Sequence, residues 1–173
     1  MEFKKDIKLE LKDLLDSAYS ILLPRLLILV GVIAAMSFAI IYLLEGPSFF
    51  EEGGLLITVI ALIVVIILFS VSIIFSSRRS LKKQFKSNAM LKEASQISID
   101  NLSFSQVSNS TDSKVTWNMI YRVKELKNSY NFYISNIMYV LIPKRFLTQE
   151  EESTLRSLIN DNLDPKKNKL KKH

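Results

Sequence analysis

The sequence predicts a membrane α-helical hairpin followed by a cytoplasmic α+β domain. Two continuous apolar stretches, residues 26–44 and 55–75, have the length of membrane spans. Beyond residue 96 apolar residues alternate with polar ones, as is typical of strands, and a helix-start signal near residue 148 precedes an apolar stripe. The predicted segments are an arm (1–25), the hairpin (26–75), a basic juxtamembrane linker (76–95), the cytoplasmic domain (96–164) and a Lys-rich tail (165–173).

The arm combines two periodicities. Ile7, Leu9 and Leu11 alternate with charged residues, which predicts a strand, and we expect this strand to join the cytoplasmic sheet. Apolar residues at helical spacing follow and predict a helix lying along the membrane surface. These residues are Leu14, Leu15, Ala18 and Leu22.

The two apolar stretches are predicted to cross the bilayer. They contain 19 and 21 residues, about 28 Å and about 31 Å as helices, which matches a hydrocarbon core of roughly 30 Å. The alternatives are two buried helices of a soluble protein and, for the first stretch, a cleaved signal peptide. A domain this small cannot surround two helices that are apolar on every face, and the first stretch is too long for the apolar region of a signal peptide. Both spans are therefore expected in the mature protein.

Lys and Arg are distributed asymmetrically around the spans, with none between residues 26 and 75. The basic residues before the first span are Lys4, Lys5, Lys8, Lys12 and Arg25. Those after the second span are Arg78, Arg79, Lys82, Lys83 and Lys86. This bias predicts that both termini are cytoplasmic and that the acidic connecting loop, residues 45–54, is outside. The second cluster either determines topology alone or also contacts anionic lipid at the membrane surface.

The first span carries small residues at helical spacing, namely Gly31, Ala35 and Ala39. Small residues at this spacing allow two helix backbones to approach closely. The stripe is predicted either to pack against the second span of the same hairpin or to form the seam of a homodimer. Neither span contains an ionisable residue, so the sequence offers no proton relay or ion pathway.

The cytoplasmic domain is predicted to begin with a hairpin. Its turn is Asp100-Asn101, which places Ile99 opposite Leu102 and Ile97 opposite Phe104. A polar loop over residues 108–113 follows, and further strands are predicted over residues 121–126, 130–135 and 137–142.

The last element of the domain is predicted to be a helix. Thr148 and Glu151 have the spacing of a capping box, an apolar stripe follows, and Pro165 ends the element. The domain is therefore predicted to be an antiparallel strand meander closed by one C-terminal helix.

The domain also contains a recognisable motif. Its residues are Trp117, Ile120, Val123 and Glu125, then Ile142, Pro143, Lys144, Arg145 and Phe146. With the two spans before it, this pattern resembles the YcxB-like family of bacterial membrane proteins. The resemblance implies a pleckstrin-homology-like domain and a location in the bacterial cell membrane. It implies no agreed biochemical activity, only suspected roles in bacteriocin immunity or membrane regulation.

Composition argues against an enzyme. The chain has no Cys, its one His is the last residue, and its four Gly form no phosphate-binding pattern. No catalytic, metal or cofactor site is therefore predicted. Residues 92–164 contain eight Lys or Arg and nine Asp or Glu, a net charge of −1, which argues against nucleic-acid binding. The lysines of the tail could either bind lipid or serve as a solubilising end, and the tail is expected to be dispensable for folding.

Three residues of the motif have two alternative interpretations each. Lys144 and Arg145 either contact a phosphate or end the sheet in solvent, and Trp117 is either a core anchor or a binding hot spot. The predicted function is a non-enzymatic, membrane-anchored accessory protein for bacteriocin self-immunity or for a membrane transporter. The alternative is a membrane-bound regulator that captures a soluble signalling protein. The expected partners are the bilayer and a protein, either another membrane protein or a second copy of the chain.

Overall fold

We describe a computed structural model of the chain, which covers residues 2–46, 54–89 and 91–171. It divides into two compact units. The domain unit comprises Met1–Ala18 with Leu81–His173, and the helical unit comprises Tyr19–Ser80. Most of the predicted connecting loop, residues 47–53, lies outside the described residues.

Two long helices account for the predicted hairpin, α1 (Leu11–Glu45) and α2 (Gly54–Ser87). Both are long and apolar enough to cross a membrane, and only 6% of the most apolar window of each is buried. The predicted arm helix and first span form one helix, because Pro24 removes only one helical hydrogen bond and does not end α1. The predicted linker is likewise helical as far as Ser87.

Eight strands form two four-stranded sheets, in the orders β1-β2-β3-β4 and β7-β6-β5-β8. The strands of the first sheet are β1 (Phe3–Lys8), β2 (Ala94–Ile99), β3 (Ser103–Val107) and β4 (Asp112–Thr116). Those of the second are β5 (Arg122–Glu125), β6 (Ser129–Tyr133), β7 (Tyr139–Pro143) and β8 (Asn168–Lys169). Short 3₁₀ helices span Trp117–Met119 and Lys144–Phe146.

The arm strand does join the sheet, as predicted, but Leu9 lies after it and Leu11 begins α1, so only Ile7 of the three alternating residues belongs to the strand. β1 pairs antiparallel with β2 from Phe3 opposite Ile99 to Lys8 opposite Ala94. One sheet is thus built from chain segments on either side of the two long helices. Lys5 on β1 also forms an ion pair of 2.7 Å with Glu151 at the start of the C-terminal helix.

The predicted register of the first β-hairpin is wrong by two residues. Ile99 lies opposite Phe104, and Leu102 is 77% exposed in the turn. The cause is the Asp100 carboxylate, which accepts hydrogen bonds from the backbone N–H groups of Leu102 and Ser103, both at 2.7 Å. Asp100 and Ser103 therefore flank the turn, and Leu102 belongs to it. β4 also begins at Asp112, within the predicted loop.

The C-terminal helix α3 (Gln149–Asn162) begins as predicted. Thr148 is its N-cap, and the reciprocal capping-box bonds with Glu151 measure 3.2 Å and 2.8 Å. Leu155, Leu158 and Ile159 of α3 are buried in the core cluster. Residues from both sheets share this cluster, including Phe104 and Phe132, whose ring centroids are 5.1 Å apart.

The tail is more ordered than the sequence predicts. β8 pairs in parallel with β5, placing Asn168 opposite Val123, and Leu170 packs against the core cluster. The ammonium group of Lys167 donates to the carbonyl oxygen of Ile120 at 3.0 Å. Residues after Pro165 therefore do pack against the domain, because backbone pairing needs no apolar side chains.

Candidate functional site

Charged residues of the motif form a network around the start of the 3₁₀ helix that follows β7. Lys144 donates to Glu125 at 2.6 Å and lies 2.9 Å from Glu152. Arg156 of α3 binds the other oxygen of Glu125 at 2.8 Å, and the Tyr130 hydroxyl donates to Glu152 at 2.6 Å. The Glu125 side chain is fully buried, so its charge is balanced by neighbouring cations and not by water.

The pKa values in this network are shifted away from neutrality, so each group keeps one ionisation state near neutral pH. Burial alone would raise the pKa of Glu125, but hydrogen bonds from Lys144 and a backbone N–H, with the charges of Lys144 and Arg156, hold it below its ordinary value. Burial would lower the pKa of Lys144, but its bonds to Glu125 and Glu152 raise it. Burial and the bond to Glu152 raise the pKa of the Tyr130 hydroxyl. Groups held in one ionisation state near neutral pH are poorly suited to acid–base catalysis.

A second group of polar contacts joins the first turns of α1 to the second sheet. Arg145 binds Asp13 through two nitrogens, each at 2.9 Å, and Asp13 is nearly buried. The bond to Asp13 raises the pKa of the Arg145 guanidinium. Ser17 accepts a 2.8 Å hydrogen bond from Asn131 on β6, and both residues are buried. We call Asp13, Ser17, Asn131 and Arg145 the α1 joint.

Lys144 and Arg145 do follow the end of β7, as one of the two alternatives had it, and Arg145 is exposed, but neither side chain is free in solvent. Both side chains bind carboxylates that lie far away in the sequence, which pattern reading cannot detect. Pro143 is buried at the end of β7. Asp13 and Arg156 were not predicted from the sequence as site residues. Their only signal was charge at positions next to apolar residues, which is common on any solvent-facing surface.

Trp117 is the core anchor that the sequence predicts. It is 6% exposed, and its indole N–H donates to the carbonyl oxygen of Asp100 at 2.9 Å. Ile120 and Val123 are fully buried in the same cluster. These motif positions therefore hold the strand β5 and the first hairpin against the core.

The other predicted site residues lie on the long helices. All five basic residues after the second span are exposed on the continuous helix α2, and Arg79 stacks on Phe75 at 4.3 Å from the ring centroid. Gly31, Ala35 and Ala39 are also exposed. A Cβ atom at Gly31 would meet no atom within 4 Å, so the described part of the second helix does not approach the stripe closely there.

Residues 99–159 match the family model described as YcxB-like protein. The match runs from the end of β2 into α3, covers roughly a third of the chain and contains all nine motif positions from Trp117 to Phe146. It confirms the resemblance for the C-terminal part of the chain, whereas residues 1–98 lie outside it. No curated protein and no solved structure matches the chain.

Proposed function

Because residues 99–159 form a YcxB-like domain, we propose that the chain is a non-enzymatic interaction module, anchored in the cell membrane by two spans and exposing its domain to the cytoplasm. Its partner is another membrane component, of the kind expected for bacteriocin self-immunity or a transporter accessory role. The two sheets and the C-terminal helix support the proposal that the domain is pleckstrin-homology-like, a plan that agrees with a binding domain but assigns no ligand.

The pairing of β1 with β2 carries this proposal. β1 precedes the first apolar helix and β2 follows the second, yet the two strands pair along their whole length. If both helices span the bilayer, the two ends of the helical hairpin must lie on the same side of the membrane, because β1 and β2 pair there. The absence of Lys and Arg between residues 26 and 75, with basic clusters on both flanks, favours the cytoplasmic side.

The charges of the domain support a binding role over a catalytic one. The buried Glu125 is neutralised by Lys144 and Arg156, and Asp13 is bound by Arg145. Among the described residues, no group of three or more His, Cys, Asp or Glu could hold a metal ion. The α1 joint additionally fixes the first turns of a membrane helix to the domain, so binding at the domain can be transmitted to that helix.

Single cysteines test the topology, because the chain has none of its own. With an impermeant maleimide on intact cells, Ser48→Cys is expected to react, whereas Ser110→Cys is expected to react only after the cells are opened. The reverse pattern would exclude a cytoplasmic domain. Reaction of both on intact cells would exclude the hairpin.

A photo-crosslinking residue at the exposed Met119 tests the partner class. In inverted membrane vesicles washed with urea, a membrane partner gives an adduct without added cytosol. An adduct that requires cytosol would instead support the alternative, a membrane-bound regulator that captures a soluble signalling protein. The absence of an adduct under both conditions would contradict an interaction role for the surface around Met119.

A further inference from the structure

One end of the second sheet carries an aromatic row around an arginine. Arg122 on β5 lies opposite Tyr133 on β6, which in turn lies opposite Tyr139 on β7. The guanidinium carbon of Arg122 is 4.4 Å from the ring centroid of Tyr133 and 5.5 Å from that of Tyr121. The rings of Tyr133 and Tyr139 are 5.0 Å apart. The cation is thus framed by tyrosines on one face of the sheet.

Arg122 lacks an anionic partner within the described part of the chain. Its Nε atom is buried and has no hydrogen-bond acceptor there. By contrast, Lys144, Arg145 and Arg156 each bind at least one carboxylate. A guanidinium stacked on aromatic rings still has the N–H donors of its two terminal nitrogens, which suit a phosphate or carboxylate.

An apolar turn lies beside this arginine. The β6–β7 hairpin presents Ile137, 88% exposed, and Met138, 63% exposed. The turn is closed by a 3.0 Å hydrogen bond from the N–H of Ile134 to the carbonyl of Met138, and the Ser135 hydroxyl accepts from the N–H of Met138 at 3.1 Å. The two apolar side chains are therefore held outward by a defined turn.

We propose that this surface, here called the Tyr–Arg tip, binds phospholipid at the membrane that anchors the chain. It consists of Tyr121, Arg122, Tyr133, Ile137, Met138 and Tyr139. Ile137 and Met138 enter the boundary between headgroups and acyl chains, the exposed Tyr121 and the half-buried Tyr139 lie at headgroup level, and Arg122, backed by the buried Tyr133, binds the lipid phosphate. This order of apolar, aromatic and basic groups is the one found at membrane–water interfaces.

Size favours lipid over a protein partner. Two exposed apolar side chains and one cation cover far less than the roughly 1,000 Å² that a specific protein interface needs. A domain tethered to a bilayer needs only a weak contact, because the tether makes the binding intramolecular. The inference rests on the proposed function in this respect, since it requires the membrane anchor.

A fluorescent probe on the tip tests the proposal in the full chain. Ile137→Cys carries an environment-sensitive fluorophore, and the protein is reconstituted in nanodiscs of zwitterionic lipid or of a zwitterionic–anionic mixture. We expect blue-shifted emission and quenching by headgroup-region spin labels, both stronger with anionic lipid. Arg122→Gln should reduce the bound-to-free ratio of the tip by roughly fivefold in the anionic mixture, the effect of one basic side chain near such a surface.

Lys127→Gln is the matched control, because it removes the same charge from an exposed residue in the turn at the other end of β5. It should leave the probe unchanged, and Trp117 fluorescence should show that both variants are folded. Water-like emission without quenching in both lipids, or equal effects of the two substitutions, would overturn the proposal. A probe shielded in native membranes but exposed in nanodiscs would assign the tip to a protein partner instead.

The cysteine labelling at positions 48 and 110 separates this inference from the proposed function. If labelling gives the expected topology and the probe stays in water, only the lipid contact of the tip fails. If the topology is reversed, the proposed function fails whatever the probe reports.

Discussion

Replacing Lys144 by Met should destabilise the domain through the buried carboxylate that it leaves behind. Glu125 has no exposed side-chain surface, so water cannot replace the lost ammonium at that oxygen. Breaking a buried ion pair costs roughly 3–5 kcal/mol. Arg156 still binds the second oxygen of Glu125, and Lys144 itself is 22% exposed. We therefore expect a loss of about 3 kcal/mol in the free energy of unfolding, at the lower end of that range.

The single tryptophan makes this measurement selective for the domain. Trp117 is buried there, so urea unfolding of the full chain in mild detergent can be followed by its fluorescence. Lys127→Met is the matched control and should change stability by less than about 0.5 kcal/mol, as is usual for exposed positions. The double variant Glu125→Gln/Lys144→Met should recover part of the loss, because it also removes the buried charge. Equal stability of the Lys144 and Lys127 variants would refute the reasoning.

The same network has a defined pH dependence. The folded-state pKa of Glu125 lies below its ordinary value of 4.5, so its stabilising contribution is present above that value. The contribution is lost as the pH falls through the lower pKa of the folded state. The difference in the free energy of unfolding between the native chain and Lys144→Met should therefore shrink as the pH is lowered below 4.5, the ordinary pKa of Glu125. A difference that is constant across this pH range would indicate a packing effect of the lysine side chain.

Three further predictions follow from the packing of the domain. Trp117→Ala should cost roughly 3–5 kcal/mol of stability, measured by circular dichroism, and an unchanged melting temperature with loss of a partner would restore the hot-spot interpretation. Truncation after Asp164 should lower the melting temperature, because it removes the β8 pairing and the packing of Leu170, and an unchanged value would restore the dispensable tail. Arg145→Gln should cost about 1.5–3 kcal/mol through the loss of charged hydrogen bonds to the nearly buried Asp13, whereas the exposed Lys12→Gln should be near neutral by the same assay.

Local signals in the sequence predicted local structure well. The capping box at Thr148 depends on residues close together in the chain, and the structure contains it. The arm strand was predicted from Ile7, Leu9 and Leu11, of which only Ile7 lies in β1. The register of the first β-hairpin was predicted wrongly because of one polar side chain. Asp100 holds the turn through backbone N–H groups, a geometry that the periodicity of apolar residues does not encode.

The candidate site was less predictable because its contacts are distant in sequence. Glu125 binds cations 19 and 31 positions away, and Arg145 binds Asp13 at a separation of 132 positions. The motif identified Glu125, Lys144 and Arg145 as a group but gave no reason for their association. β8 was missed for a related reason, since its pairing uses backbone groups that leave no pattern in the side chains.

The order of segments along the chain has a consequence for folding. β1 is made first, but its partner β2 follows both long helices, so the first sheet cannot be completed before the second helix has been synthesised. Until then β1 exposes an unpaired strand edge whose natural partner is absent. The α1 joint has the same dependence, because Asp13 and Ser17 must wait for Arg145 and Asn131. Folding of the domain therefore depends on completion of both long helices, and a defect in the apolar part of the second helix should also destabilise the domain.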